Sequence, residues 1–233
     1  MKVGDLMKKI LKGCLTVLLL TFITLTSLGY LEYRKAVREK PLEEKISEIQ
    51  SQPHYVAIEN ISDYLKTATV ATEDQRFYKH HGVDVVAYGR ILYVLVTTGQ
   101  INSGGSTISQ QLAKNLYFGF EPSLIRKFAE FFVVHDLESQ YEKDEILELY
   151  VNIINYGDQH MGIYEATHGY FDKDPKDLSL DEATLVAGIP QSPANYQLSN
   201  HSAEARKRQK VVLQALIDTG SFTQEEIEQL LNE

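Results

Sequence analysis

Gly13 to Leu31 is a run of 19 residues without a formal charge, the longest apolar stretch of the chain. As a helix it measures roughly 28 Å at about 1.5 Å per residue, close to the thickness of a bilayer core. Lys2, Lys8, Lys9 and Lys12 precede it against Asp5, and no basic residue falls within it. That pattern predicts a transmembrane anchor with a cytoplasmic N-terminus and everything after residue 31 outside. Ser27-x-Gly29 also fits the small-x-small pattern of a cleaved signal peptide, but Leu28 and Tyr30 extend a stretch already long for that role. Cys14 follows Lys12-Gly13 inside the run, where it makes a poor lipoprotein site and reads as a small hydrophobe. As the sole cysteine it leaves no internal disulfide and no Cys-based zinc site.

Past the anchor the pattern turns helical. Arg34, Lys35, Arg38 and Lys40, then Pro41 and an acidic, Gln-rich stretch, read as a juxtamembrane stalk over 32–54. It is expected to be a solvated spacer helix, or to touch lipid headgroups through its basic cluster. Ser62 starts a helix toward Glu73, and Asp84 caps one that ends at Gly99. This second helix, apolar on most sides over Val85–Val96, is expected to be buried in the core; the alternative is a face dipped into the bilayer. Ser106 or Thr107 starts a helix through Asn115, Ser123 one through about Gln140, and Asp144 one carrying Ile146, Leu147, Leu149, Tyr150 and Ile153. Ser179-x-x-Glu182 and Thr223-x-x-Glu226 are capping boxes, with a break at Pro190 and Pro193 between them. No two-residue alternation is long enough for a large sheet. The fold class is all-α or α-dominated, with at most a short hairpin near 100–105 or 155–160. The domain plan is a tail over 1–12, an anchor over 13–31, the stalk over 32–54 and one domain over 55–233.

Charge narrows the partners. The chain carries −9 overall and +3 within residues 1–12, and −9 less +3 leaves −12 for the rest. An outer part that acidic excludes nucleic acid as a ready partner, so any bound anion must meet a local cluster of cations. Three clusters offer chemistry. Glu73 and Asp74 sit side by side before Phe77, Tyr78, His80 and His81; the aromatics can exclude water, and neighbouring like charge can lift a carboxyl toward a useful base. The histidines lack metal-site spacing, and one reads as a structural hydrogen-bonding group. Gly104-Gly105-Ser106-Thr107 is no P-loop, but it supplies free N–H groups at a helix start. Gln110, Gln111 and Lys114 follow, with Gln110 and Lys114 on one face, suited to a pyrophosphate or to sugar hydroxyls. Arg126, Lys127 and Glu130 lie on a helix otherwise rich in Leu, Ile and Phe, which suggests a cleft edge with Glu73 and Glu130 facing across it.

Five segments, in order, resemble the five motifs of the peptidoglycan glycosyltransferase family (glycosyltransferase family 51). They are Glu73-Asp-Gln-Arg-Phe-Tyr-Lys-His-His-Gly82, Gly104-Gly-Ser-Thr-Ile-Ser-Gln-Gln-Leu-Ala-Lys-Asn115, Arg126-Lys-Phe-Ala-Glu130, Lys143-Asp-Glu-Ile-Leu-Glu-Leu-Tyr-Val-Asn152 and Leu185-Val-Ala-Gly-Ile-Pro-Gln-Ser-Pro-Ala-Asn-Tyr196. The anchor before them, and the lack of a long domain or a Ser-x-x-Lys tetrad after them, resemble the monofunctional members. The resemblance implies a lysozyme-like helical domain near the membrane. It implies polymerisation of lipid II through β-1,4 bonds with inversion, the growing chain's undecaprenyl pyrophosphate leaving. Glu73 would then be the general base, Asp74 would tune it, and Glu130 would be a second carboxylate lining the cleft. Lys114, with Arg126 or Lys127, would hold the pyrophosphate, and Arg90 matches a family arginine near the donor phosphates. Ser106, Gln110 and Gln111 would position sugar and phosphate oxygens. A divalent cation (Mg or Mn) at the pyrophosphate stays open, with no protein-only metal site in the sequence. Other cell-wall synthesis proteins are conceivable partners. Gln159 departs from the pattern where glycine is more usual, and His135 where a small apolar residue is common. Two other readings remain: a lysozyme-like glycan hydrolase, which would not need the cations, and a non-catalytic anchored scaffold.

Overall fold

The computed structural model describes residues 3–99, 104–119 and 123–232. Lys2 of the expected tail and positions 100–103 of the hairpin expected near 100–105 lie outside the described residues. In chain order the α-helices are α1 (Val3–Glu39), α2 (Leu42–Gln50), α3 (Asp63–Glu73), α4 (Val85–Thr98), α5 (Ile108–Tyr117) and α6 (Leu124–Gln140), followed by α7 (Lys143–Ile153), α8 (Ile163–Phe171), α9 (Leu180–Gly188), α10 (Pro193–Tyr196), α11 (Ser202–Asp218) and α12 (Gln224–Leu231). The all-α class is as expected. Among the described residues the extended pairing is one isolated antiparallel bridge, Asn155 to Met161, where a hairpin near 155–160 was expected. Gln159 in that turn holds φ 68°, a left-handed conformation that glycine adopts at less cost.

Local signals set most helix starts. Asp84 accepts from the backbone N–H groups of Val86 and Ala87, and Gly99 ends α4 at φ 70°. Thr107 and Gln110 close a capping box on α5, Ser123 caps α6, and the boxes at Ser179 and Thr223 open α9 and α12. Two starts differ from expectation. Ser62 occupies the N-cap of α3, but its hydroxyl donates to the Leu178 carbonyl at 3.1 Å instead of capping. The helix α7 begins one residue before Asp144, with Glu142 as N-cap, and Asp144 accepts from the Tyr78 hydroxyl at 2.8 Å. The break at 190 and 193 appears as a turn of 3-10 helix, Ile189–Gln191, and the short α10.

Two layers share one core. Helix α3 packs on α9 and α11, while α5 packs between α6 and α7. Leu65 and Ala68 of α3 meet Ile108 and Leu112 of α5, Leu137 of α6 and Leu149 and Tyr150 of α7 in one fully buried cluster. Helix α2 joins it. Leu42 and Ile46 are buried, so this stretch is not the solvated spacer the sequence suggested: its acidic face hid two apolar residues one turn apart.

The expectation of a buried α4 is overturned. None of its residues is buried, and Val85, Leu92, Tyr93 and Val96 are 60–77% exposed. An apolar composition is the same for a core helix and for one facing lipid, so burial could not be read from it. Helix α1 is likewise exposed over Leu15–Leu20, and it runs unbroken through the basic cluster to Glu39. Its C-terminal half lies along α6, with Phe22, Tyr30 and Tyr33 against Phe128 and Phe132.

Gly82 marks a tight crossing. It has φ 82°, a Cβ there would lie 2.3 Å from Val134 Cγ1, and its carbonyl accepts from the Thr107 hydroxyl at 2.6 Å. Gly82→Ala combines backbone strain with a clash in the core. It is expected to cost about 1–3 kcal/mol, measured as a lowered denaturation midpoint of the detergent-solubilised chain.

Candidate active site

The site is built where the end of α3 meets the start of α5. Asp74, the residue after α3, is 6% exposed and accepts from His80 Nε2 at 2.8 Å and from the backbone N–H of Ile108 at 3.1 Å. That N–H is one of the orphan donors at the start of α5, at the positive end of its dipole. One turn further, Gln111 Nε2 donates to Glu73 Oε2 at 2.7 Å, and Tyr150 donates to Gln111 Oε1 at 3.2 Å. The amide is therefore oriented from behind. Arg208 of α11 approaches Glu73 Oε1 at 3.9 Å, with both side chains nearly buried. Burial pushes the Glu73 carboxyl above its usual range; the Gln111 bond and Arg208 pull it down, and Asp74 adds a smaller upward push. The like charge of Asp74 acts in the expected direction, and Phe77, one of the two aromatics expected to exclude water, is fully buried. Burial is the largest cause, whereas Tyr78 takes no part in the shielding: it is 55% exposed and turned to Asp144.

Glu73 opens into a cleft of about 710 Å³. Of the residues singled out in the sequence, Glu73, Ser106, Gln110, Gln111, Lys114 and Lys127 line it together. Lys114 follows Gln111 by one helical turn, so the cation and the carboxylate's partner share a face. Burial draws the Lys114 ammonium below its usual range, and the Glu130 charge opposes this. Lys127 donates to Ser106 Oγ at 3.0 Å and to Glu130 Oε2 at 2.7 Å. Gln110 is 1% exposed and spends its amide on the α5 cap and on Tyr88. Arg90 is exposed at the rim of an adjoining pocket of about 170 Å³, which shares Thr72, Glu73, Gln75, Gly104 and Ser106 with the cleft.

Two expected residues sit elsewhere. Glu130 is 0% exposed and does not line the cleft. Its oxygens face Lys127 at 2.7 Å and Arg126 Nε at 3.2 Å, so it anchors cations from below. Arg126 also donates to the Gly119 carbonyl at 2.8 Å and is absent from the cleft wall. The spacing of 126 and 130 gave the ion pair correctly, but not which side of α6 it occupies.

The opposite wall was missed by sequence reasoning. It is α11, with Arg208, Lys210, Val211, Gln214 and Asp218, together with Gln191. The available signal was a basic run, Arg206 to Lys210, on an otherwise acidic chain, with Arg208, Val211, Ala215 and Asp218 at helical spacing. Thr72 Oγ1 and Arg208 Nε are buried there without a hydrogen-bond partner. Among the described residues no three His, Cys, Asp or Glu side chains gather as a metal site. The cleft's donors are mostly cations and amides, which fit an anion and not a protein-held metal.

A family model described as Transglycosylase matches residues 40–217. Penicillin-binding protein 1A of Aquifex aeolicus is 41% identical over 178 residues, covering 76% of this chain and 24% of that protein. Penicillin-binding protein 1A of Neisseria lactamica is 38% identical over 184 residues, covering 79% and 23%. Penicillin-binding protein 1F of Bacillus subtilis is 37% identical over 171 residues, covering 73% and 24%. The chain thus spans about a quarter of the length of these curated relatives. A crystal structure of penicillin-binding protein 1A from Haemophilus influenzae covers 77% of this chain and 17% of its own, at TM-score 0.45 and 21% identity, too loose a likeness to add to this. With the model matched across most of its length, the chain belongs to the transglycosylase family.

Proposed function

We propose that this chain is a membrane-anchored peptidoglycan glycosyltransferase that polymerises lipid II. The observation that carries the reading is one cleft that brings together a nearly buried carboxylate at the end of α3, Glu73, and two cations, Lys114 of α5 and Lys127 of α6. Glu73, its carboxyl raised by burial, takes the proton from the acceptor sugar's 4-hydroxyl. The freed oxygen attacks the donor's anomeric carbon from the side opposite the pyrophosphate. The new C–O bond forms as the bond to pyrophosphate breaks, inverting the configuration. Lys114 and Lys127 meet the charge that collects on the leaving pyrophosphate. Gln111 and Arg208 hold the carboxylate in place, and Asp74 fixes the helix start on which Gln111 depends. Glu130 keeps Lys127 extended toward Ser106. On a chain that is acidic beyond residue 12, such a local cationic wall suits a pyrophosphate.

Both substrates carry a lipid tail, and the exposed apolar surfaces of α1 and α4 suit a domain lying on the outer face of the bilayer. In this reading α1 crosses the membrane with its lysine-rich end inside, and α4 faces lipid.

The test is polymerisation of labelled lipid II by the full chain in detergent. The wild type is expected to build a polymer that a muramidase degrades, and Glu73→Gln is expected to lower the rate by about 10²–10⁴-fold. Shortening of preformed glycan without polymer, or a fully active Glu73→Gln, would contradict the reading. Lys127→Ala is expected to lower kcat about 10²-fold and, because it leaves the buried Glu130 with one cation fewer, to lower the denaturation midpoint as well, measured by initial rates beside thermal melts.

A further inference from the structure

Helix α6 has two faces with different tasks. One carries Lys127 at the cleft wall and Glu130 beneath it. The other is pressed along α1, with a close approach at Gly29. A Cβ at that position would lie 2.5 Å from Phe128 Cβ and 2.9 Å from the Phe128 carbonyl carbon. Carbon atoms in good contact sit about 3.5–4.0 Å apart, so only glycine admits this crossing. Small residues at a helix interface let backbones close in this way.

The neighbouring contacts fix the crossing. Phe22 meets Phe128 edge-on at 5.7 Å, and Tyr30 and Tyr33 meet Phe132 at 5.2 and 5.5 Å. The Tyr33 hydroxyl donates to Asp136 Oδ2 at 2.6 Å. Gly13 of the same helix has nothing within 4 Å, and the aromatic contacts to α6 come from Phe22, Tyr30 and Tyr33, nearer its C-terminal end.

We propose that α1 is a positioning element of the cleft, with Gly29 as its positioning residue acting through Lys127. The proposal rests on the functional reading above. Phe128, which Gly29 touches, directly follows Lys127, and a helix moves as a rigid body over one turn. The bond of Lys127 to Glu130 lies within α6 and travels with it. The 3.0 Å bond to Ser106 reaches the segment before α5 and breaks when α6 shifts. A wider α1–α6 spacing therefore moves the cation away from the place where the pyrophosphate is held, and a misplacement of about 1 Å can cost 10²-fold in rate.

The test compares the full chain with Gly29→Leu, Gly29→Ala and the control Gly13→Leu in lipid II polymerisation. Each is measured alone and together with Lys127→Ala. Gly29→Leu is expected to lower kcat/KM at least tenfold and Gly29→Ala less, while Gly13→Leu stays within about twofold. In the Lys127→Ala background Gly29→Leu is expected to cost under twofold, because the group it acts through is gone. An unchanged kcat/KM for Gly29→Leu, or an equal loss in both backgrounds, would overturn the proposal. Gly29→Ala, one methyl group, keeps the test open should leucine prevent folding. A readout independent of activity is the distance between spin labels at Ser139→Cys of α6 and Lys207→Cys of α11, in a Cys14→Ser background. Gly29→Leu is expected to shift it by about 2 Å, the spread between close and wide helix packing, and Gly13→Leu to leave it unchanged. An unshifted distance overturns the proposal even if the chain makes no polymer, whereas a wild type without polymer overturns only the functional reading.

Discussion

One buried carboxylate holds the site together. Asp74 sits between α3, which ends at Glu73, and α5, whose first N–H it accepts. Without that anchor the orphan donor at Ile108 and the imidazole of His80 would lose a charged partner in a dry environment, a cost of several kcal/mol. The consequence reaches further than stability. Gln111 stands one turn beyond Ile108, so the register set by Asp74 also sets the amide 2.7 Å from Glu73 and places Lys114 a turn further on. The orienting amide beside Glu73 and the Lys114 cation thus follow from the placement of one helix start.

The same helix start separates two electrostatic tasks. A general base needs a carboxylate that burial has made more basic, whereas a pyrophosphate needs cations held where water is scarce. These requirements conflict if the groups meet, because Lys114 beside Glu73 would depress the carboxyl. Here the neutral amide of Gln111 lies between them on the helix face, and the carboxylate that pairs with Lys127 is Glu130, beneath the cleft wall. Arg208 is the exception: it comes within 3.9 Å of Glu73, and it limits how far burial raises this carboxyl.

Much of this was legible in the sequence, for reasons that differ by residue. Caps at Asp84, Thr107, Ser123, Ser179 and Thr223 depend on side chains bonding their own next turn, so spacing alone reveals them. Glu73, Gln111, Lys114 and Lys127 share a cleft because their segments carry recognisable motifs. The burial of Glu130 was not legible, since i, i+4 spacing gives a pair but not the side of the helix that faces the core. Nor was α11 as the opposite wall: the basic run from Arg206 to Lys210 marks a charged helix face, but which helices that face meets is set by the packing of α11 on α3 and α9. The exposure of α4 turns on what solvent surrounds it, and composition is silent on that. Residues 42–50 showed an acidic surface and concealed Leu42 and Ile46.

The most direct measurement is the pH–rate profile of kcat/KM for lipid II polymerisation, for the wild type and for Gln111→Ala. A general base works ionised, so the rate falls on the acid side as Glu73 takes up a proton. Because burial raises that carboxyl, the acid limb should lie above the usual glutamate range of about 4.3. Removing Gln111 deletes a bond that favours the ionised form, so the limb should move to still higher pH as the rate drops. An acid limb at the ordinary value, or one that Gln111→Ala leaves in place, would contradict Glu73 as the base held by Gln111.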